Sequence, residues 1–538
     1  MIAPLFALVL WMQAASSARE AGLTAYKAGR YEEAARLLQE VVATENDYEA
    51  LVALGVSLGK LGRNAEATAA FDRAISLDAG RPEARVERGG LRFIEHRYDD
   101  AVRDLEGALA IRKDGYTRNL LASSYHLVGR SEDALREWNE LGQPVLGETN
   151  LTGFRHIHAG VARRELTLRG GEMLDVDGLR ESRLRLQEVG VFSRVVLRPV
   201  PRQEGRADLE VAVHERHAFG SIPEFVGTAA GNALVKKVRL RYFGLFGSAI
   251  NVGAQYRWEK SRPKKSVSLD WARFLGIPAY FHFSGEKETQ PYDTGVPTTM
   301  KAKGFAVAAR RVLDARTVME LGFRTRDRQF STALADAPPG VIRGLTLGLE
   351  HRFWDSYRRQ LDGSLAAFKA GGPLRSDLSY PQAVASLRYE DILSPPDGTA
   401  LEKTVIVTRA LAGWAGDDLP LDEMFAPGAA SEMEFPLRGH KLRQAGVMGQ
   451  SPMGRTLGLF NIEWRQRFVN ARTFQTGFVL FYDAAHIART AQGRDRTIED
   501  VGVGLRLSVH GVVLRADYGF AISGGRRHAV TAGFNQVF

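Results

Sequence analysis

Two short segments in the second half of the chain carry side chains that can pair as ions. Leu437-Arg438-Gly439-His440 lies in a long stretch between predicted strands, and Phe481-Tyr482-Asp483-Ala484-Ala485 lies in the strand region that follows it. A guanidinium binds a carboxylate in a planar, bidentate geometry. Such a pair can hold a long loop against its entropy, and Gly439 lets the backbone approach a wall. An Arg438–Asp483 pair would be able to fix a loop in this way. The alternative is that Arg438 is one of many loop arginines, since the chain has 72 Lys and Arg residues.

The other candidates for chemistry indicate structural roles. Gly55-Val56-Ser57-Leu58-Gly59 matches the hydrolase nucleophile elbow, but that motif needs a strand, a strained turn and a helix, and here it falls within a predicted helix. Of the twelve histidines, the closest pair, His156 and His158, lacks a third ligand at metal-binding spacing. Cysteine is absent, which excludes disulfides, thiolate zinc sites and a cysteine nucleophile. No P-loop, dinucleotide or His-Glu-x-x-His motif occurs. We predict no enzymatic activity, no metal and no other cofactor.

Length and composition indicate a folded chain of several domains. The 538 residues are 44% hydrophobic and 25% charged, a globular balance that excludes wholesale disorder. The net charge of +9 is uneven, since residues 19–145 hold 18 basic and 22 acidic side chains and residues 146–538 hold 54 and 41. A basic second half is compatible with nucleic acid, with anionic lipid, or with charges dispersed along strands. Because no dense Lys/Arg block exists, we predict no nucleic-acid partner.

The first 18 residues have the features of a signal peptide. They carry no charge, Leu5–Met12 form an apolar run, and small residues from Ala14 to Ala18 offer a cleavage site. The alternative, a membrane anchor, is disfavoured because the run is too short to span. No 18-residue apolar stretch follows, so any membrane crossing must be by strands.

A repeated phrase between residues 19 and 145 predicts a helical array. Gly29-Arg30-Tyr31-Glu32-Glu33-Ala34 returns in related form three times, and the closing residues Ala34, Ala67, Ala101 and Ala134 are 33 or 34 residues apart. This period resembles the tetratricopeptide repeat. It implies four helical hairpins stacked into an α-solenoid, whose concave surface binds a periplasmic partner protein. The alternative is a rigid spacer.

Residues 146–216 predict a small α/β module in the order strand, helix, helix, strand, strand. The strands are placed at Leu151–Ile157, Ser193–Val200 and Ala207–Arg216, and the helices at Val161–Leu168 and from Asp175 to a stop at Gly190. The stretch resembles the POTRA domain of outer-membrane assembly proteins, and the resemblance implies a sheet edge that can add a client strand. The residues that carry it are Arg164-Glu165-Leu166, Gly171-Glu172, Leu179–Leu186, Gly190-Val191-Phe192-Ser193 and Val213-His214-Glu215-Arg216.

Residues 217–538 alternate in polarity, strand after strand. Val501, Val503 and Leu505 share one face, for example, while Gly502, Gly504 and Arg506 share the other. An apolar face opposite a charged one predicts an antiparallel transmembrane β-barrel, with about 16 strands at roughly 20 residues for each strand and loop. A soluble β-sandwich also alternates, but segments of about ten residues with Trp and Tyr near their ends favour the barrel.

The two segments described first resemble motifs of the BamA/TamA-type superfamily. In that family the Arg of a lumen loop contacts the Asp of a Phe-x-Asp-x-Gly strand. The resemblance assigns Arg438 and Gly439 to the loop, within roughly residues 417–455, and Phe481 and Asp483 to the barrel wall. The chain departs from the family at His440, where an aromatic residue is usual, and at Ala485, where Gly is usual.

The end of the chain, Thr531–Phe538, resembles the C-terminal recognition strand of outer-membrane proteins. Gly533, Phe534 and Phe538 carry the match, whereas Gln536 stands where an apolar residue is preferred.

The superfamily resemblance covers residues 146–538 and implies a function. The protein would insert barrel proteins into the bacterial outer membrane or translocate polypeptides across it, with unfolded client polypeptides and membrane lipid as partners and residues 19–216 in the periplasm. One alternative is a dedicated two-partner secretion pore, although that family usually has two POTRA modules and a plug helix. The others are a barrel-anchored interaction protein without transport activity and a passive solute channel.

Overall fold

The computed structural model describes most of the chain. The predicted signal peptide, apart from Ser17 and Ala18, and Phe538 lie outside the described residues. Among the described residues, no helix is both long and apolar enough to cross a membrane. The described ranges are 17–216, 236–356, 358–394, 403–430, 434–449, 451–470, 474–509, 512–523 and 527–534.

The chain divides into two compact units, and the division passes through the small α/β module. The first unit comprises Met1–Glu148, Gly170–Val176 and Arg198–Leu209; the second comprises Thr149–Arg169, Asp177–Leu197 and Glu210–Phe538.

The first part of the chain is helical and repeats one hairpin four times. The turn between the two helices of each hairpin has positive φ at the first residue of the repeated phrase, 74° at Gly29, 73° at Gly62, 61° at His96 and 82° at Gly129. Glycine adopts this conformation without strain, so His96 is the exception. The four repeat alanines are fully buried where the helices meet. The helices are α1 (17–27), α2 (Tyr31–Thr44), α3 (Tyr48–Lys60), α4 (Asn64–Leu77), α5 (Glu83–Ile94), α6 (Tyr98–Ile111), α7 (Gly115–Leu127) and α8 (Ser131–Asn139).

A repeated close contact joins the helices of each of the first three hairpins. A Cβ placed on Gly55 would lie 2.5 Å from the ring of Phe71, and Gly22 and Gly89 face Leu38 and Leu105 in the same way. Ser57 lies in the middle of α3, where its hydroxyl donates to the carbonyl of Ala53 at 2.8 Å. The helical placement of the elbow-like segment is therefore confirmed.

The contact at Gly55 gives a matched pair of variants. Gly55→Ala should destabilise the helical array by about 1–3 kcal/mol, because the added methyl overpacks the buried ring of Phe71. Gly59→Ala in the same helix meets the side chains of Leu91 and Ala67 at 3.7 and 4.0 Å, which is ordinary van der Waals contact, and should be neutral or stabilising by up to about 1 kcal/mol. Thermal unfolding of the full chain, followed by far-UV circular dichroism at the helical band, would measure both. Equal melting of the two variants would contradict this packing.

The small module has the predicted element order, with two corrections. Its first strand ends at Thr152, not Ile157, because Gly153 turns the chain at φ 91° and the next backbone N–H groups leave the sheet. Those of Arg155 and Ile157 donate to the Glu215 carboxylate at 2.7 and 2.9 Å. The first helix is shorter than predicted. The elements are β1 (Val145–Thr152), α9 (Ala159–Arg163), α10 (Val176–Glu188), β2 (Phe192–Pro201) and β3 (Arg206–Glu215), in sheet order β1-β3-β2.

The rest of the described chain forms one antiparallel meander. Each strand pairs with the next in sequence, and the described residues hold fifteen strands where about 16 were predicted. The strands are β4 (Lys237–Tyr242), β5 (Ile250–Arg257), β6 (Lys264–Ala272), β7 (Tyr280–Asp293), β8 (Pro297–Val312), β9 (Thr317–Phe330), β10 (Gly340–Asp355), β11 (Arg359–Ala370), β12 (Pro381–Ile392), β13 (Thr404–Ala415), β14 (Gly454–Asn470), β15 (Phe474–Thr490), β16 (Arg496–Val509), β17 (Val512–Ala521) and β18 (His528–Phe534).

The two faces of this sheet differ as the alternation predicts. On the outer face, large apolar side chains stand exposed in register, as where Leu347 pairs with Leu321 and Val503 pairs with Tyr518. They form a continuous apolar band across the strands. The inner face carries fully buried charges, among them Glu463, Asp483 and Asp500.

Candidate functional site: a lumen loop and its seat

The segment between β13 and β14, residues 416–453, is here called the lumen loop. It contacts the inner face at widely separated strands. At β7, the amide of Gln290 donates to Gly446 O at 3.0 Å and the backbone of Met448 bonds to Pro291 and Asp293. Other parts of the loop reach β9 and β14–β17, as described below. Because one loop touches all these strands from the same side, the sheet curves round it as a barrel wall.

Arg438 is the centre of the strongest of these contacts. Its Nε and Nη2 donate to the two carboxylate oxygens of Asp483 at 2.8 and 2.7 Å, and its backbone N–H donates to the same carboxylate at 3.1 Å. Its Nη1 donates to Glu463, and its guanidinium carbon lies 3.6 Å from the centroid of the Phe481 ring. Arg438, Asp483 and Glu463 are fully buried. The structure thus brings together the predicted Arg438, Asp483 and Phe481, and adds Glu463.

The residues after Arg438 continue the contact along the wall. The backbone N–H of Gly439 donates to Asp500 Oδ2 at 2.6 Å, and Nδ1 of His440 lies 2.7 Å from Asp500 Oδ1. Asn461 bridges the loop to the wall, since its amide donates to Pro436 O at 2.9 Å and to the Asp483 carboxylate at 2.8 Å. His440 therefore makes a polar contact at the position where the family usually has an aromatic side chain.

Glycines in the wall leave space for the loop backbone. A Cβ on Gly519 would lie 2.2 Å from the carbonyl oxygen of Arg438, and a Cβ on Gly439 would lie 2.6 Å from the Asp500 carboxylate. Gly502 pairs with Gly519 in the neighbouring strand, and its missing side chain admits the Phe481 ring. Residues 438–440 and the wall residues of β14–β17 that they touch are here called the seat.

The charges of the seat extend further round the wall. Arg465 donates to Glu463 at 2.7 Å, while Arg506 and Arg515 donate to Asp517 at 2.6 and 2.9 Å. The buried carboxylates of Glu463, Asp483 and Asp517 thus have arginine partners, and Asp500 has the Gly439 N–H and His440, as burial of charge requires. This network was not predicted from the sequence, although the alternation of polarity had placed Arg506 on the face opposite the apolar one.

A second anchor holds the lumen loop to β9. The carboxylate of Glu423 accepts from Arg324 at 2.6 Å and from Arg326 at 3.3 Å, and Asp422 pairs with Arg328. Asp422 and Glu423 form part of a short 3-10 turn in the loop. This anchor was not predicted from the sequence either, where the signal for it is three arginines that alternate on one face of a strand, Arg324, Arg326 and Arg328.

The predicted C-terminal residues lie apart from the seat. Gly533 pairs with Arg515 and Phe534 pairs with Leu514 in the last described strand. Phe538 lies outside the described residues. Their proposed role in recognition stays a prediction.

The part of the α/β module that belongs to the second unit contacts one end of the barrel. In the second unit, the Glu165 carboxylate accepts from Arg273 Nε at 2.6 Å and from the Tyr280 hydroxyl at 2.9 Å. Glu188 accepts from Arg310 Nε at 2.8 Å. These barrel residues adjoin the turns at 273–279 and 313–316, which we call the near end. The lumen loop begins and ends at the opposite edge, the far end.

Comparison with known proteins supports the fold. No family model and no curated protein match the chain. A solved structure of CdiB from Escherichia coli matches with a TM-score of 0.51 and 12% identity, over 78% of this chain and 87% of that chain. CdiB from Acinetobacter baumannii gives 0.48 and 15%, over 76% and 81%. BamA from Haemophilus ducreyi lacking POTRA domains 1–3 gives 0.44 and 12%, over 73% and 84%. The predicted fold class, helical region, α/β module and antiparallel barrel, is confirmed.

The seat is built to hold a loop. Within the part of the chain that the structure describes, no group of three or more His, Asp or Glu side chains is arranged to bind a metal ion. The ionic contacts of the seat described above join the loop to the wall or join residues of the wall to one another. What this arrangement can do is keep the lumen loop in one position, or release it as a unit.

Proposed function

We propose that this chain is a bacterial outer-membrane protein that moves polypeptides, either by inserting barrel proteins into the membrane or by translocating clients across it. The observation that carries the proposal is the lumen loop held inside the barrel by the buried Arg438–Asp483–Glu463 contact. Arg438 and Asp483 lie in the two sequence motifs that resemble those of the BamA/TamA superfamily.

The outer face of the barrel supports a membrane location. Strands of 16 or 17 residues such as β10, β14 and β15 exceed the 9–11 residues that cross a bilayer. Exposed Leu, Val and Phe side chains in register have no role in water, where they would promote aggregation. In lipid they are the expected covering of a barrel.

The lumen loop distinguishes this proposal from a passive solute channel. A channel needs an open path, whereas here a loop anchored at β7, β9 and β14–β17 lies within the wall. For clients to pass, the loop must leave its position inside the wall; opening of the wall with the loop in place is the alternative. The proposed orientation places the near end, and the residues of the second unit that contact it, on the periplasmic side.

We propose the remaining assignments on sequence grounds. Residues 19–145 form a tetratricopeptide array that binds a periplasmic partner, and residues 146–216 form a POTRA module whose sheet edge pairs with an extended client segment. No catalysis and no cofactor enter this function. Residues 1–18 direct export and are cleaved.

Depletion of the protein tests the function. Outer-membrane and secreted proteomes would be quantified before and after depletion, with wild-type chain and Arg438→Ala chain as complementing copies. Loss of many barrel proteins supports a general insertase, and loss of one or two secreted proteins supports a dedicated translocator. No change in either proteome would contradict both the insertase and the translocator. The remaining candidates would then be a barrel-anchored interaction protein and a solute channel.

A further inference from the structure

Three lysines stand side by side on the outer face of the barrel. Lys265 on β6 pairs directly with Lys287 on β7, and Lys287 pairs directly with Lys303 on β8. All three side chains are exposed, as is Lys301, which lies on the same face two residues from Lys303. Like charges directly opposite in a sheet destabilise it. This lysine row therefore lowers the stability of the bare barrel and is suited to an anion that offsets it.

The protein supplies little of that negative charge itself. Lys303 pairs with Asp327 at 3.2 Å at one end of the row, and Lys265 lies 5.4 Å from the Tyr256 ring at the other. Among the described residues, Lys265, Lys287 and Lys301 form no ion pair. One carboxylate thus faces four ammonium groups.

A shallow apolar groove adjoins the row. Its volume is about 480 Å³, and it lies across β4–β7 with Lys265 and Lys287 at its border. Small side chains at Ala254 and Gly285 form the depression between larger neighbours. The groove is lined on its apolar part by Val238, Leu240, Ala254, Val267 and Gly285.

The row stands where the apolar band stops. The next outward positions toward the near end are Val267, Gly285 and Phe305, in register with one another, and beyond them come Leu269, Phe283 and Val307. Toward the far end, the outward position next to the row is Lys301, between Thr289 and Gln329. The row therefore marks the polar boundary of the band at the far end.

We propose that the lysine row and the groove bind a lipid whose headgroup carries phosphate. The phosphates contact Lys265, Lys287 and Lys303, and an acyl chain lies in the groove. A free anion or an acidic peptide would make no use of a groove that continues into the apolar band, which is why we assign a lipid. The proposal rests on the proposed membrane location, in which the far end faces the outer leaflet.

Lipid retention by the purified full-length protein tests the assignment. The probe is bisphosphorylated lipid A, with its dephosphorylated form as a comparison, and native mass spectrometry in detergent counts the molecules retained. K265Q/K287Q/K303Q should weaken retention of the phosphorylated form by about a hundredfold, at roughly fivefold for each basic residue near a lipid surface. K265R/K287R/K303R, which keeps the positive charges, should retain bisphosphorylated lipid A as the wild type does.

A matched control removes the same charge elsewhere. K27Q/K60Q/K113Q changes three exposed lysines of the helical region and should bind as the wild type does. Equal retention by the two glutamine variants, equal retention of dephosphorylated lipid A, or displacement by an equal concentration of inorganic phosphate would each overturn the proposal. Since the assay contains no client, it can fail while the transport function stands, and the depletion experiment can fail while lipid binding stands.

Discussion

Arg438→Ala is expected to release the lumen loop and to destabilise the barrel by about 3–5 kcal/mol. The substitution leaves Asp483 and Glu463 fully buried with their principal partner gone, and breaking one side of a buried ion pair costs about that much. It also removes the cation above the Phe481 ring. Protease added to intact cells should then cleave the loop near Lys441 and Arg443, and the unfolding midpoint in urea should fall.

Two further variants separate the pair from a general loss of packing. Arg438→Lys keeps the charge without the bidentate geometry. Its unfolding midpoint and its protease sensitivity should lie between those of the wild type and Arg438→Ala. In a double-mutant cycle with Asp483→Asn, the two changes should be strongly non-additive, because either one alone breaks the same contact. Additive effects and a loop that stays protected in Arg438→Ala would show that the pair does not hold the loop.

Gly519→Ala is expected to displace the same loop without removing any charge. The new Cβ would lie 2.2 Å from the carbonyl oxygen of Arg438 and 2.6 Å from the nitrogen of Gly439. Both neighbours are backbone atoms, so no side chain can turn away. Overpacking of this kind costs about 1–3 kcal/mol, and the strain would be relieved if the loop tip left its seat. The loop should become protease-sensitive although Arg438 and Asp483 remain.

Gly458→Ala is the control for that variant. Gly458 lies on β14, and a Cβ there meets nothing within 4 Å. It should leave both the loop and the stability as they are, or stabilise the strand slightly. If Gly519→Ala and Gly458→Ala behave alike in the protease assay, close approach of the loop to the wall at Gly519 is wrong.

The features that the sequence could predict are those set by local pattern. The period of two placed Val503 outside and Arg506 inside, because successive side chains of a strand point to opposite faces. The period of 33 or 34 residues predicted the four helical hairpins, because a repeat of that length fits one pair of packed helices. The Arg438–Asp483 pair was predicted because it rests on two recognisable motifs.

The features that it missed depend on the curvature of the whole barrel. Glu463 and Asp500 join the seat because β14–β16 lie side by side beneath the loop, and Asp422 reaches Arg328 across 94 residues of sequence. The chain has 72 basic and 63 acidic residues, so a very large number of ion pairs is conceivable. Residue types and their spacing in sequence do not identify which of these pairs form. The end of β1 was predicted wrongly for a similar reason. The Glu215 carboxylate accepts hydrogen bonds from backbone N–H groups that lie about 60 residues away in sequence.

The central claim is that the lumen loop must move for a client to pass, and a reversible lock tests it most directly. Met448 in the loop bonds through its backbone to Asp293 and Pro291 at 2.8 and 3.0 Å, so its Cα lies beside that of Tyr292 at about the 5 Å spacing of paired strands. That spacing suits a disulfide, and the chain has no cysteine to interfere.

Cells would carry Tyr292→Cys/Met448→Cys as their sole copy, with each single variant as a control. Arrival of newly made clients in the outer membrane or the medium would be measured under oxidising and reducing conditions. The account predicts that the oxidised double variant stops delivery, that reduction restores it, and that the single variants respond to neither. Delivery at the wild-type rate with the loop locked would contradict the account.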